Sequence, residues 1–250
     1  MYSPGFILFL VLPLALIVAF GYYIYRNYFQ GQGPGLSPGF SPGLIHGDLR
    51  DQRVMTWLNE PQAHPEWAVQ ANSRCGAAPF SLPTDGYIGY LWGDSFRVGH
   101  QHQGVDIFGG SAVAVTPVYA AYPGYLTRQL DWKSSLIIRI PDDPLHPGRQ
   151  IWIYYTHLAS PQGDSYISAD FPPGALEQPV EAGRLLGYQG NYSGDPGNPV
   201  GVHLHFSIVL DDGQGRYLNE LDIQNTLDPS AYLGLPLDAS QNSDHIPVCP

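Results

Sequence analysis

The clearest pattern of apolar and polar positions in the chain is the strict alternation in HLHFSIVL, residues 203–210. Its leucines, phenylalanine and isoleucine fall on one face of a predicted strand and pack into a core, because strand side chains alternate between two faces. His203 and His205 project together from the other face, about 6–7 Å apart along the strand. Neutral imidazole is the commonest metal ligand, so the two are either a metal-binding pair or surface histidines.

Short apolar stretches separated by Gly, Pro, Asn and Asp fill the chain from about residue 75. They predict strands at 87–92, 104–108, 117–121, 124–130, 135–140, 151–158, 184–190 and 203–210. No stretch of 12 residues among them has helical periodicity. The pattern predicts an all-β domain of antiparallel, sandwich-like sheets over residues 75–250.

The first 74 residues have a different character. Residues 1–25 contain no charged side chain, and as a helix the apolar stretch 6–25 is long enough to cross a hydrocarbon core about 30 Å thick. We predict a transmembrane anchor at 1–26, because no Lys or Arg precedes this stretch and no A-x-A site follows it; a cleaved signal peptide is the alternative. A Pro/Gly-rich linker at 27–47 and a short segment at 48–74 with one predicted helix complete the N-terminal region.

The charge flanking the predicted anchor conflicts with an external domain. Arg26 follows the apolar stretch, and the positive-inside rule places a basic flank in the cytoplasm. The function inferred below requires the domain outside the membrane. We therefore predict a single-pass membrane protein whose domain is extracellular or periplasmic. Arg26 alone favours the opposite orientation.

Composition narrows the classes of function. The chain of 250 residues has a formal net charge of −11 and contains one lysine, Lys133. Such an acidic chain lacks the basic surface that binds nucleic acid. Its two cysteines, Cys75 and Cys249, bracket the predicted β domain. In an exported chain a disulfide between them would tie the C-terminal tail to the start of the domain, and two free thiols are the alternative.

Two further stretches place polar side chains at the predicted strands. In HQGVD, His102, Gly104 and Asp106 share one parity, so imidazole and carboxylate face the same way and Gly104 leaves room for a bound ion. In YYTHLA, His157 ends an apolar strand. A catalytic zinc usually has three ligands from His and carboxylate, and further imidazoles nearby can move protons.

The order HxGxD, then His at a strand end, then HxH before an apolar strand resembles the lysostaphin-like, LytM-type zinc metallopeptidases. TPVYAAYPGYLTRQ, YYTHL and VEAGRLLGYQGNYSGDPGNPVGVHLHFSI are similar to segments of that family, and the resemblance covers residues 80–235. It implies that one Zn²⁺ per chain is bound by His102, Asp106 and His205. It also implies that His157 and His203 are catalytic histidines that bind no metal; which activates water and which stabilises the tetrahedral intermediate stays open.

The resemblance further implies an endopeptidase that cuts peptide bonds of peptidoglycan, in the stem peptide or the cross-bridge, outside the membrane. Two other functions stay open: a membrane-tethered regulator that keeps the fold without hydrolysis, and a cell-wall-binding scaffold. Members of that family bind peptide in a groove walled by loops, and the segment 31–74 could occupy such a groove in cis, as in latent members. His100, two residues before His102, is interpreted as a rim residue.

Overall fold

The computed structural model describes residues 47–95, 99–242 and 244–249. The predicted anchor at 1–26, and the predicted linker at 27–47 except for its last residue, lie outside the described residues. Within the described part, no helix combines the length and the apolar character needed to cross a membrane.

Short strands make up most of the described chain. Helix α1 (Gly47–Asn59) precedes them, and the one-turn helix α2 (Ser230–Leu233) follows them. The strands of the described residues are, in chain order, β1 (Ala68–Val69), β2 (Gly86–Tyr90), β3 (Val105–Phe108), β4 (Pro117–Tyr119), β5 (Gly124–Thr127), β6 (Leu136–Ile140), β7 (Ile151–Thr156), β8 (Gln178–Val180), β9 (Leu185–Tyr188), β10 (Leu204–Leu210) and β11 (Thr226–Leu227).

The strands form one large sheet and one small one. The large sheet has the order β1-β2-β3-β10-β7-β6-β5-β8, with β11 also paired to β10, and β4 pairs with β9. All of these strand pairs are antiparallel. The predicted class, a mainly β protein with antiparallel sheets, is confirmed. The second layer is a two-stranded sheet with loops, so the sandwich is incomplete.

The main core lies between the large and the small sheet. Phe206, Ile153 and Ile138 come from neighbouring strands of the large sheet, and Val118 and Leu186 come from the small sheet. All five side chains are fully buried. The apolar parity of β10 therefore faces the core, which leaves the other parity of β10 on the opposite face of the large sheet.

Helix α1 packs on that opposite face, over β2 and β3. Val54 and Trp57 of the helix pack against Tyr87 and Phe108 of the strands in a small buried cluster. The indole N–H of Trp57 donates a hydrogen bond to the carbonyl oxygen of Phe108 (2.6 Å). The described residues belong to one compact unit, so the predicted domain start at residue 75 falls inside it.

A disulfide joins the two ends of the β domain. Cys75 and Cys249 are bonded across 174 positions of sequence, so of the two alternatives the disulfide is the one present. Closing a loop of this length stabilises the folded state by about 5 kcal/mol in the chain-entropy estimate. Arg53 of α1 donates to the carbonyl oxygen of Asp244 (3.0 Å), so the C-terminal tail also contacts the helix.

Candidate metal centre

Three neighbouring strands bring the predicted site residues together. His205 of β10 lies opposite Asp106 of β3 on one side and opposite Thr156 of β7 on the other. These side chains share the sheet face that carries α1, because the residues that alternate with them are buried in the main core. His157 follows the end of β7 and His203 precedes the start of β10, so both lie beside His205.

His102 reaches this cluster from a loop. Strand β3 begins at Val105, so the prediction that His102 and Asp106 share one parity of a strand is wrong. Backbone hydrogen bonds to the turn after β2 hold His102 instead: its N–H donates to the carbonyl of Asp94 (2.7 Å), and Gly93 donates to its carbonyl (2.8 Å). This pairing places the His102 ring beside the carboxylate of Asp106, and the sequence predicted that these two side chains lie together.

Gly104 serves the packing of the strands. A Cβ at this position would lie 2.2 Å from the carbonyl oxygen of Phe206 and 2.9 Å from Cβ of Ser207. Glycine therefore allows β10 to come this close. The prediction that Gly104 leaves room for a bound ion is wrong, because the backbone of β10 fills the space beside it.

Three donor atoms converge at the centre of the cluster. His102 Nε2 lies 3.1 Å from Asp106 Oδ1 and 3.0 Å from His205 Nδ1, and the last two atoms are 2.8 Å apart. All three residues are buried, with exposed fractions of 4%, 7% and 8% in chain order. Among the described residues, these three side chains form a group that is able to hold a metal ion.

The outer hydrogen-bond partners assign the ring protons of the two imidazoles. His102 Nδ1 lies 2.9 Å from the carbonyl oxygen of Leu91, and His205 Nε2 lies 2.8 Å from a carboxylate oxygen of Glu220. A carbonyl and a carboxylate only accept hydrogen bonds, so each ring carries its proton on that side. In the neutral rings, His102 Nε2 and His205 Nδ1 therefore turn bare lone pairs toward each other and toward Asp106.

The charges of the cluster call for a cation at its centre. Burial opposes the charge on Asp106, but the imidazoles of His102 and His203 outweigh it and hold the pKa of this carboxyl well below its usual range. Burial also opposes the charge on His205, yet its contacts with Asp106 and Glu220 raise its pKa to about 10. A proton on His205 contacts only part of this group, whereas a metal cation would contact all three donor atoms at once.

The donor set fits zinc. Zinc accepts imidazole nitrogen and carboxylate oxygen at about 2.0–2.2 Å, and a catalytic zinc commonly has three protein ligands with one position left open. Donors at these distances in a tetrahedron are about 3.3–3.5 Å apart. The observed separations of 2.8–3.1 Å are shorter than these by a few tenths of an ångström.

His157 and His203 stand next to this group as a second pair. Nδ1 of His157 donates to the carbonyl of Tyr192, and Nδ1 of His203 donates to the carbonyl of Gly201; each donor–acceptor distance is 2.7 Å. Each ring therefore has a bare Nε2. The ring centroids are 4.5 Å apart, and His203 Nε2 lies 3.6 Å from Asp106 Oδ1.

The backbone of His157 adopts an unusual conformation. Its φ angle is +72°, in the left-handed region that costs residues other than glycine on the order of 1–3 kcal/mol. The residue directly follows β7, and its carbonyl accepts a hydrogen bond from the N–H of Ala159 (2.9 Å). This turn ends the strand and keeps the imidazole beside His203.

Aromatic side chains border the cluster on both sides of the same sheet face. On the β3 side, the ring of Phe108 lies 5.0 Å from the ring of His203 and belongs to the cluster under α1. On the β7 side, Trp152, Tyr154 and Tyr217 pack around β10. The imidazoles and the carboxylate therefore lie between two aromatic clusters.

Sequence reasoning missed both outer partners of the metal-binding imidazoles. Leu91 contributes a backbone carbonyl, which every residue possesses, and Glu220 lies in a loop without a recognisable pattern. The five predicted residues are brought together, and their chemical roles stay predictions. His100 is half-buried in the loop that leads to His102.

Comparison with known proteins gives matches among solved structures alone. No family model matches the chain, and no curated protein matches it. The solved structures include lysostaphin, an antimicrobial peptidase from Staphylococcus simulans, at 16% identity and a TM-score of 0.37 over 66% of this chain. They also include a protein assigned as an M23 peptidase from Pseudomonas aeruginosa, at 18% identity and a TM-score of 0.36 over 78% of this chain.

A third match is the catalytic domain of the M23 protein EnpA, encoded by a prophage of Enterococcus faecalis, at 21% identity and a TM-score of 0.34. The present chain covers 95% of that domain, but 63% of the Pseudomonas chain and 55% of lysostaphin. These structures are of the family that the motifs resemble. At TM-scores below 0.5 the likeness carries no weight for function, which has to be argued from the residues of the site.

Proposed function

We propose that this chain is a zinc-dependent endopeptidase that hydrolyses peptide bonds of peptidoglycan. The observation that carries the proposal is the convergence of three donor atoms, His102 Nε2, Asp106 Oδ1 and His205 Nδ1, next to two further imidazoles with bare Nε2 atoms. A proton on His205 bridges only part of this group, whereas a metal ion would bind all three donor atoms. The motif resemblance supports the substrate class.

Zinc would be held by His102 Nε2, Asp106 Oδ1 and His205 Nδ1. When bound in such a site, zinc polarises a peptide carbonyl and lowers the pKa of water to about 7. The three donors are buried, and their mutual contacts fix their directions.

His157 and His203 would move the protons of the reaction. Carbonyl acceptors fix both rings through Nδ1, so each Nε2 is available to take a proton from the attacking water and pass one to the leaving amine. Burial and the neighbouring histidines lower the pKa of His157 to about 3, and burial lowers the pKa of His203 as well. Both rings are therefore neutral near neutral pH, so each Nε2 keeps its lone pair.

We also propose that the β domain lies outside the cytoplasm. Peptidoglycan lies outside the membrane, and the apolar stretch 6–25 would hold the chain at the membrane surface. The disulfide supports this placement, because such bonds persist in oxidising compartments.

The test uses the full chain purified in detergent. Zinc per chain is measured by mass spectrometry, and the release of new amines from purified peptidoglycan is followed for the wild type and for His205→Ala. We expect one zinc per wild-type chain and measurable hydrolysis, with both lost in the variant. Glu181→Ala, which removes an exposed carboxylate elsewhere on the surface, is the matched control and keeps both.

The other outcomes separate the alternative functions. A wild type that holds zinc but releases no amines from any peptidoglycan would refute the enzyme and favour the regulator. A wild type that binds peptidoglycan without holding zinc would refute the metal site and favour the cell-wall-binding scaffold.

A further inference from the structure

Glu220 is the one charged side chain that contacts the outer nitrogen of His205 in the described structure. Its carboxylate accepts a hydrogen bond from the Nε2–H of His205 at a distance of 2.8 Å, and its side chain is 15% exposed. It lies fifteen positions after His205 in sequence, in the loop between β10 and β11. The contact therefore depends on the path of that loop.

Hydrogen bonds hold the loop in this position. The side-chain amide of Gln103, next to His102, donates to the carbonyl oxygen of Leu221 (2.9 Å). On the other side, the side-chain amide of Asn225 donates to the carbonyl oxygen of Asn219 (2.9 Å). The residues flanking Glu220 are thus anchored, one of them to the segment that carries two of the metal-binding side chains.

Either nitrogen of a neutral imidazole can bind a metal, and the hydrogen bond that the other nitrogen makes sets which one does. An acceptor at Nε2 places the proton there and leaves Nδ1 as the metal donor. We propose that Glu220 is a positioning residue that selects Nδ1 of His205 as the ligand nitrogen and strengthens metal binding through its negative charge. This inference rests on the proposed function, because it requires that the site binds a metal.

The corresponding contact of His102 shows why the charge of Glu220 matters. His102 is oriented by the neutral carbonyl of Leu91, which selects the ring nitrogen without adding charge. At His205 the partner is a carboxylate, so together with Asp106 the site contains two negative charges to balance a divalent cation. Loss of an outer partner of a metal-binding histidine typically weakens metal binding by roughly 10- to 100-fold.

Two substitutions distinguish the effect of Glu220 on the orientation of His205 from the effect of its negative charge. Glu220→Gln keeps an oxygen acceptor for Nε2–H but removes the charge, whereas Glu220→Ala removes both. Zinc affinity is measured on the full chain by competition with a chelator of known affinity. We expect Glu220→Ala to bind zinc roughly 10- to 100-fold more weakly than the wild type, and Glu220→Gln to fall between the two. The control Glu181→Ala keeps the wild-type affinity.

Nitrogen-15 spectra of the histidine rings give a readout that does not depend on activity. In the zinc-loaded wild type, we expect the proton of His205 on Nε2 and the metal on Nδ1. A proton on Nδ1 would overturn the inference even if a variant failed to fold, and so would wild-type affinity in Glu220→Ala. A wild type that binds no zinc would instead refute the proposed function, so the two failures are distinguishable.

Discussion

Helix α1 is tied to the loop of His102 by a buried ion pair. Arg50 Nε lies 3.2 Å from Asp94 Oδ1, and the two side chains are 4% and 14% exposed. Asp94 in turn accepts the N–H of Leu91 through its side chain (2.6 Å) and the N–H of His102 through its carbonyl (2.7 Å). Replacement of the arginine therefore tests whether the helix supports the candidate metal centre.

Arg50→Met keeps most of the apolar stem and removes the charge, which leaves the largely buried Asp94 without its cationic partner. It also removes the hydrogen bond from Arg50 to the carbonyl oxygen of Asn242 (2.9 Å). Breaking a buried pair in this way costs about 3–5 kcal/mol. The hydrogen bond from Leu91 remains, so we expect the lower end, about 3 kcal/mol, or about two orders of magnitude in the unfolding equilibrium constant. Arg184→Met is the matched control: it breaks an ion pair with Asp170 that is 50% and 60% exposed, so it should cost less than about 1 kcal/mol.

The pH dependence of the loss gives a second check. Burial raises the pKa of Asp94 and Arg50 lowers it, so without the arginine this pKa rises further. A carboxyl whose pKa is raised in the folded state favours folding more as the pH falls and the carboxyl takes up its proton. The stability difference between Arg50→Met and the wild type should therefore shrink on acidification.

Guanidinium chloride unfolding at pH 7.5 and pH 5 measures both quantities, and Arg50→Met combined with Asp94→Asn should recover part of the loss. A loss of less than 1 kcal/mol in Arg50→Met at pH 7.5 would refute the stabilising role of the ion pair. A loss that grows at the lower pH would refute it as well.

Three further predictions follow from the site and its strands. Gly104→Ala should cost about 2–3 kcal/mol in chemical unfolding, because its Cβ would overlap the carbonyl oxygen of Phe206; a loss below 1 kcal/mol would contradict the packing role. His157→Ala and His203→Ala should each lower peptidoglycan hydrolysis by about 10²–10⁴-fold and keep one zinc per chain; loss of the zinc in either would contradict its separation from the metal-binding group. Reduction of the disulfide should lower the free energy of unfolding by up to about 5 kcal/mol, and identical unfolding curves with and without reductant would contradict its role.

The parts of the site that depend on strand geometry were predictable from the sequence. Alternation in β10 separates Phe206 from His205 by parity alone, and the sheet places these side chains on opposite faces. The predicted strands are all present, mostly shorter by a few residues at their ends. Strands β1, β8 and β11 were missed because segments of two or three residues contain no period to detect.

The parts that depend on loops were not predictable in this way. HQGVD suggested one continuous strand through His102, but the backbone of this residue pairs with Gly93 and Asp94, so tertiary hydrogen bonds decide its position. Glu220 has no local signal, because its contact exists only through the return of a loop that Gln103 anchors from another part of the chain.

The N-terminal helix and the candidate metal centre depend on each other through one sheet face. Phe108 is covered on one side by Val54 and Trp57 of the helix, and its ring lies 5.0 Å from that of His203. A fragment that began at residue 75 would expose this ring to solvent and would leave Asp94 without Arg50. Because both losses fall on residues that touch the site, the helix is part of the framework that fixes the imidazoles, although it lies outside the region with recognisable motifs.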